Sequence, residues 1–119
     1  SLQREVAADD LPPYDETLLR REMELFPEWF VSGLLGLRID AAQRASWRQL
    51  TELLLRSALE QPRAFVHRDY HSRNLMVCSS HNPGILDYQD AVIGPVTYDL
   101  VSLLRDCYIS WPGERVEGW

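Results

Sequence analysis

Lysine is absent from this 119-residue chain, so all 12 of its basic side chains are arginines. Against 18 acidic residues they leave a formal net charge of −6. Apart from Arg20-Arg21, which sits in an acidic stretch, the arginines are scattered. Phosphate-backbone binding needs basic patches, so nucleic acid is excluded as a partner. Long apolar runs are missing as well. No stretch approaches the roughly 18 apolar residues of a membrane span, and no signal peptide opens the chain. No membrane partner is therefore expected, and the expected location is the cytoplasm. Cysteine is scarce: Cys78 and Cys107 lack metal-type spacing and read as buried free thiols. There is no internal repeat and no low-complexity segment.

What is present fits an ordinary soluble domain, with 45% hydrophobic and 25% charged residues, and the length allows one domain at most. Residues 1–13 are polar, end in Pro12-Pro13 and read as a linker. Leu18, Leu19, Met23, Leu25, Phe26, Trp29 and Phe30 recur at mostly helical spacing, predicting a helix from an Asp15 N-cap to about Phe30. Pro27 should kink or end it, and Phe30 to Leu37, with Gly33 and Gly36, reads as a turn region. Asp40-Ala41-Ala42-Gln43 fits a capping box. Its helix is expected to run to about Glu60, burying Leu50, Leu53, Leu54 and Ser57/Ala58 before Gln61-Pro62 stops it.

The pattern then changes to short apolar runs, Ala64–Val66, Leu75–Cys78 and Gly84–Leu86, which predict short strands. The last two are joined by a turn at His81-Asn82-Pro83-Gly84. Beyond Gly94-Pro95 a final helix is predicted from Thr97 to about Ile109. Val101, Leu104 and Tyr108 would face the core, and Trp111-Pro112-Gly113 would end the helix. The expected class is α+β with helix in excess and a small β region carrying the polar motifs.

Those motifs are His67-Arg68-Asp69-Tyr70-His71-Ser72-Arg73-Asn74 and Ile85-Leu86-Asp87-Tyr88. Phosphoryl transfer needs a carboxylate to orient the attacking hydroxyl and hard oxygens to hold Mg²⁺ against nucleotide phosphates. Asp69, an Asn five residues later and Asp87 ending the next apolar run supply these in the order of a kinase catalytic loop and metal segment. Asp69 is the expected catalytic base; Asn74 and Asp87 are the expected metal ligands. Alone, a loop Asp more often bonds its own turn, and Asn74 or Asp87 alone would read as a loop-closing side chain or a helix cap. His67 reads as a packed histidine bracing the loop. His71 would contact the transferred phosphate or order the loop, and Arg68 and Arg73 would face phosphate or solvent. Asp99 begins a helix, so capping explains it, while Asp90 reads as a cap or as an outer partner of the metal. Phe26, Trp29 and Phe30 read as core, with Trp29 and Glu28 kept as candidates for a sugar pocket.

Together with Gly94-Pro95 and Tyr98-Asp99-Leu100, these motifs resemble the aminoglycoside phosphotransferase family. Within it, residues 14–112, including Arg21-Glu22-Met23-Glu24-Leu25-Phe26, are similar to bacterial anomeric kinases of peptidoglycan recycling. The resemblance implies a protein-kinase-like fold, ATP and Mg²⁺ as cofactors, and N-acetylmuramic acid or N-acetylglucosamine as acceptor. Arg68 stands where antibiotic kinases usually carry Gly, a departure that weakens an antibiotic-resistance reading. No glycine-rich phosphate loop and no nucleotide-pairing Lys are present, and both belong to the N-terminal lobe of such a kinase. The expected piece is therefore part of a C-terminal lobe over residues 14–112, with catalytic loop 67–74, metal segment 85–91 and a cut-off tail at 113–119. Its expected partner is the missing N-terminal lobe of the same polypeptide, and the piece alone is expected to bind MgATP poorly and not to turn over. Two other readings stand beside it: the same chemistry on choline, homoserine or an aminoglycoside, with Glu22, Glu24 and Glu28 forming an acidic pocket, and a non-catalytic kinase-like binding module.

Overall fold

The structure is a computed structural model that describes residues 11–119. Residues 1–10 of the proposed linker lie outside the described residues. The architecture is α+β, with helices and two small sheets, and the chain divides into two compact units.

The first unit, residues 14–61, is helical. Helix α1 (Glu16–Leu25) starts where Asp15 accepts the Leu18 N–H at 2.9 Å, giving a free amide of the first turn its acceptor. Pro27 has no N–H to continue the ladder, and the helix does not stop there but widens into a π-helix over Phe26–Leu34. The turn expected over Phe30–Leu37 is therefore helical as far as Leu34. The chain reverses at Gly36, whose φ of +65° suits a residue without Cβ.

Helix α2 (Ala41–Leu59) begins with the full capping box. Gln43 N–H donates to Asp40 Oδ1 at 2.8 Å, and Asp40 N–H donates to Gln43 Oε1 at 3.0 Å. Arg20 of α1 pairs with Glu52 of α2 at 2.7 Å, whereas Glu24 of α1 meets Arg44 at 2.9 Å and Trp47 Nε1 at 3.0 Å. Rising numbers on one helix meet falling numbers on the other, so the pair is antiparallel. The buried side chains of α2 are Thr51 and Leu55; Leu50, Leu53 and Leu54 are exposed, which corrects the predicted stripe. Trp47, Thr51, Leu55 and Ala58 follow one line at helical spacing, and the leucines lie on the neighbouring line.

The second unit holds residues 62–119 with the described stretch 11–13. Strand β1 (Arg63–Val66) pairs antiparallel with β4 (Val92–Pro95), Val66 opposite Val92. Between them β2 (Leu75–Met76) and β3 (Gly84–Ile85) form a second antiparallel pair, Leu75 opposite Ile85. The predicted strands are present, the first longer by Arg63 and the other two shortened. The run Val92–Pro95, read as the approach to a helix, is a fourth strand, and Pro95 at its end needs no donor. The end of the proposed linker is tied down, since the Ile93 N–H donates to the Pro12 carbonyl at 2.9 Å.

Helix α3 (Tyr98–Leu104) ends well before Ile109. Val101 and Tyr108 are exposed, correcting the expectation that they face the core. A short helix α4 (Gly113–Gly118) occupies the stretch read as a tail. Both cysteines are free; Cys107 is exposed, and Cys78 is only half-buried. Among the described residues no helix is long and apolar enough to cross a membrane.

Candidate active site

The loop between β1 and β2 carries residues 67–74, and its shape is set by hydrogen bonds to its backbone. The fully buried His67 donates its N–H to Asp99 Oδ2 at 2.8 Å, and Arg68 donates its N–H to Asp99 Oδ1 at 3.2 Å. Asp99 lies in the first turn of α3 but spends both oxygens on this loop, so it is a loop anchor and not the helix cap expected of it. Burial pushes its carboxyl up from the ordinary carboxylate range, opposed by the two N–H donors. The His67 ring approaches the Leu86 carbonyl through Nε2 at 2.9 Å. A carbonyl only accepts, so Nε2 carries a proton, and the ring links the loop 67–74 to the residue before Asp87.

Arg68 has φ +74°, a left-handed backbone that glycine adopts without strain. The turn this makes exposes Asp69, whose side chain takes no partner among the described residues. The Asp69 carbonyl is held instead, accepting the His71 N–H at 3.0 Å and Asn74 Nδ2 at 2.9 Å. With its nitrogen committed, Asn74 keeps Oδ1 as an unengaged hard oxygen. Asn74 closes a 3₁₀ turn (Ser72–Asn74), and its carbonyl accepts the Leu86 N–H at 3.0 Å. That bond extends the β2–β3 ladder by one step and brings Asn74 beside the residue preceding Asp87. Asp87 has φ +66°, a region Asp tolerates better than most residues, and its carboxylate accepts from Gln89 Nε2.

Asn74 Oδ1 and the Asp87 carboxylate are oxygens of the kind that suits Mg²⁺, which takes few protein ligands and shares its shell with phosphates and water. Among the described residues no group of three or more His, Cys, Asp or Glu could hold a metal ion. Asp90 is exposed in the turn before β4, so it caps no helix.

Arg73 and His71 of the loop meet residues that the sequence did not single out for the site. Arg73 lies 4.0 Å over the Tyr108 ring, and His71 meets the same ring edge-on at 5.0 Å. The Ser72 N–H donates to Asp106 Oδ2 at 2.7 Å, while Asp106 Oδ1 takes the Tyr108 N–H at 2.7 Å. The Ser72 side chain beside it, then the Tyr108 amide, hold the Asp106 carboxyl down at about 2. No local sign of this pair stood in the sequence, because the helix expected to reach Ile109 ran past Asp106 and in fact ends at Leu104.

In the helical unit Phe26 stacks on Phe30 at 5.5 Å and on Trp47 at 5.4 Å, but all three aromatics read as core, Phe26, Trp29 and Phe30, are exposed. A cavity of about 370 Å³ is lined by Phe26, Pro27, Val31 and Trp47 among others, and neither Glu28 nor Trp29 lines it. Glu22 accepts from the Tyr14 hydroxyl and Glu24 is taken by Arg44 and Trp47, so no free acidic trio forms with Glu28.

Residues 2–119 match the model of the phosphotransferase enzyme family, APH. The chain belongs to this family. Its relatives include the N-acetylmuramate/N-acetylglucosamine kinases of Pseudomonas putida, 60% identical over 92% of this chain, and of Pseudomonas aeruginosa, 53% identical over 98%. The kinase of the same name from Neisseria meningitidis is 49% identical over 97%. The chain spans about a third of the length of these relatives, 32%, 34% and 34%.

Proposed function

We propose that this family member is the catalytic segment, from the C-terminal lobe, of a longer ATP-dependent kinase. It would transfer the γ-phosphate to the anomeric hydroxyl of N-acetylmuramic acid or N-acetylglucosamine, the sugars in its relatives' names. Residues 14–112 then belong to that lobe, and the phosphate-covering loop and its Lys lie elsewhere in the polypeptide. With ATP and free amino sugars as substrates, the proposed setting is the cytoplasm, in peptidoglycan recycling.

The observation that carries the reading is the Asn74 amide. Its nitrogen is bound to the Asp69 carbonyl at 2.9 Å, which leaves its oxygen for a cation. Asn74 and Asp87 would hold Mg²⁺, which when bound neutralises charge on the nucleotide phosphates. The exposed Asp69 carboxylate accepts the hydrogen bond of the sugar hydroxyl and aligns it for in-line attack. An anomeric hydroxyl is more acidic than an ordinary alcohol, so Asp69 orients it more than it deprotonates it. Positioning supplies most of the acceleration, and no covalent intermediate is needed. His67 braces the loop from beneath, while His71 and Arg73 order it against Tyr108. The engagement of Glu22 and Glu24 disfavours a cationic acceptor such as choline or an aminoglycoside.

The test is ADP release by the full-length protein with MgATP and each acceptor in turn. Release with either amino sugar and not with choline or an aminoglycoside is expected. Release with a cationic acceptor alone would reject the sugar assignment, and release with none would favour a non-catalytic binding module.

A further inference from the structure

Resting on that reading, we propose that Asp106 is a positioning residue for phosphoryl transfer: it clamps the Ser72–Asn74 turn through the Ser72 amide and so fixes where Asn74 presents its oxygen.

The turn carrying Asn74 is three residues long, too short to hold its own shape by helical hydrogen bonding. Its downstream end is fixed by the Leu86 N–H on the Asn74 carbonyl. Its upstream end needs a second fixed point, and the Ser72 N–H finds it at 2.7 Å on Asp106, 34 residues away. A charged acceptor makes this bond shorter and stronger than a neutral one. Asp106 is itself held, because its other oxygen takes the Tyr108 N–H at 2.7 Å. Tyr108 then closes the clamp from the outside, with Arg73 over its face and His71 at its edge. Three consecutive loop residues, 71 to 73, are thereby bound to one segment, 106–108. Asp99 cannot replace it, since its oxygens are both committed to His67 and Arg68. Both Asp106 oxygens are taken by amides, so its effect has to pass through the turn that carries Asn74.

The test compares wild type, Asp106→Ala, Asp106→Asn and Ser72→Ala in the full-length protein, with two readouts. The first is Mn²⁺ affinity in the presence of ADP, measured by electron paramagnetic resonance, together with hydrogen exchange at the Ser72 amide. Asp106→Ala is expected to weaken Mn²⁺ binding about 10-fold, by analogy with the loss of a metal's outer partner, and to speed Ser72 exchange at least as much. The second is steady-state kinetics, where kcat falls about 10-fold or more while the sugar KM stays within twofold. Ser72→Ala keeps the backbone donor and removes only the hydroxyl beside Asp106, so it should weaken Mn²⁺ binding less than Asp106→Ala does. Asp106→Asn keeps an acceptor for Tyr108 but loses the charge, and it gives the answer if the alanine variant does not fold. Wild-type Mn²⁺ affinity and kcat in both Asp106 variants would overturn the proposal. An inactive wild type would reject the kinase reading, and the Mn²⁺ and exchange data would still decide the role of Asp106.

Discussion

The Asp99 carboxylate reaches from the first turn of α3 to the amide of His67, 32 residues earlier in the chain, at 2.8 Å, and to that of Arg68 at 3.2 Å. Asp99 and His67 are both buried, so these are bonds without competition from water. Removing the carboxylate leaves two amides without an acceptor, each costing about 1–3 kcal/mol when buried. Asp99→Ala is expected to lower stability by about 3 kcal/mol in urea denaturation, with Asp99→Asn between it and wild type. A loss under about 0.5 kcal/mol would mean that the loop is held by something else.

Asn74 has two tasks, since its nitrogen secures the Asp69 carbonyl and its oxygen is assigned to the metal. Asn74→Ala should therefore raise the Mg²⁺ concentration for half-maximal activity of the full-length protein at least about 10-fold. A Mg²⁺ titration of steady-state rate reads this directly. An unchanged half-activation concentration would remove Asn74 from the metal site.

The two anchoring carboxylates should titrate in opposite directions. Asp106 is held down at about 2, so its folded form keeps charge longer than the unfolded chain. Its contribution to stability is present above the ordinary carboxylate range and is lost as pH falls towards 2. Burial pushes Asp99 up, so the folded state keeps that proton longer, and its contribution falls as pH rises from the ordinary range through the raised value. Carbon-detected NMR of the side-chain carboxyls should give a midpoint near 2 for Asp106 and one above the usual range for Asp99. The reverse order would contradict both assignments.

A Cβ at Gly84, the first residue of β3, would lie 2.8 Å from Cys78 Sγ, so the thiol would have to shift. Overpacking of this kind costs about 1–3 kcal/mol. Gly84→Ala should destabilise by about that much, and adding Cys78→Ala should restore most of the loss. Additive destabilisation in the double variant, measured by thermal unfolding, would show that the clash is not with the sulfur.

What was legible in the sequence was local. Asp15 and the Asp40–Gln43 box declare helix starts because their bonds span three residues. The motif 67–74 followed by Asp87 stood out because a kinase loop and metal segment carry those oxygens in that order. The strand Val92–Pro95 was missed because Gly94-Pro95 reads as punctuation when its partner Arg63–Val66, some 30 residues earlier, is not considered. Asp99 looked like a cap, and Asp106 fell inside the helix expected to reach Ile109, since the loop amides they serve are more than 30 residues distant. The leucines of α2 misled for another reason: adjacent apolar lines on a helix are equally periodic, and only tertiary contact selects which is covered.

The central claim is that Asp69 directs a phosphate onto the anomeric oxygen of an amino sugar. Phosphorus NMR of the full-length protein with MgATP and N-acetylmuramic acid or N-acetylglucosamine, alongside its Asp69→Asn variant, tests it most directly. The account predicts a phosphorus signal coupled to the C1 proton in the wild type. In the variant that signal should accumulate about 10²–10⁴-fold more slowly, as loss of a positioned acid–base group would bring. A phosphate on any other sugar oxygen, or equal rates in the two proteins, would contradict it.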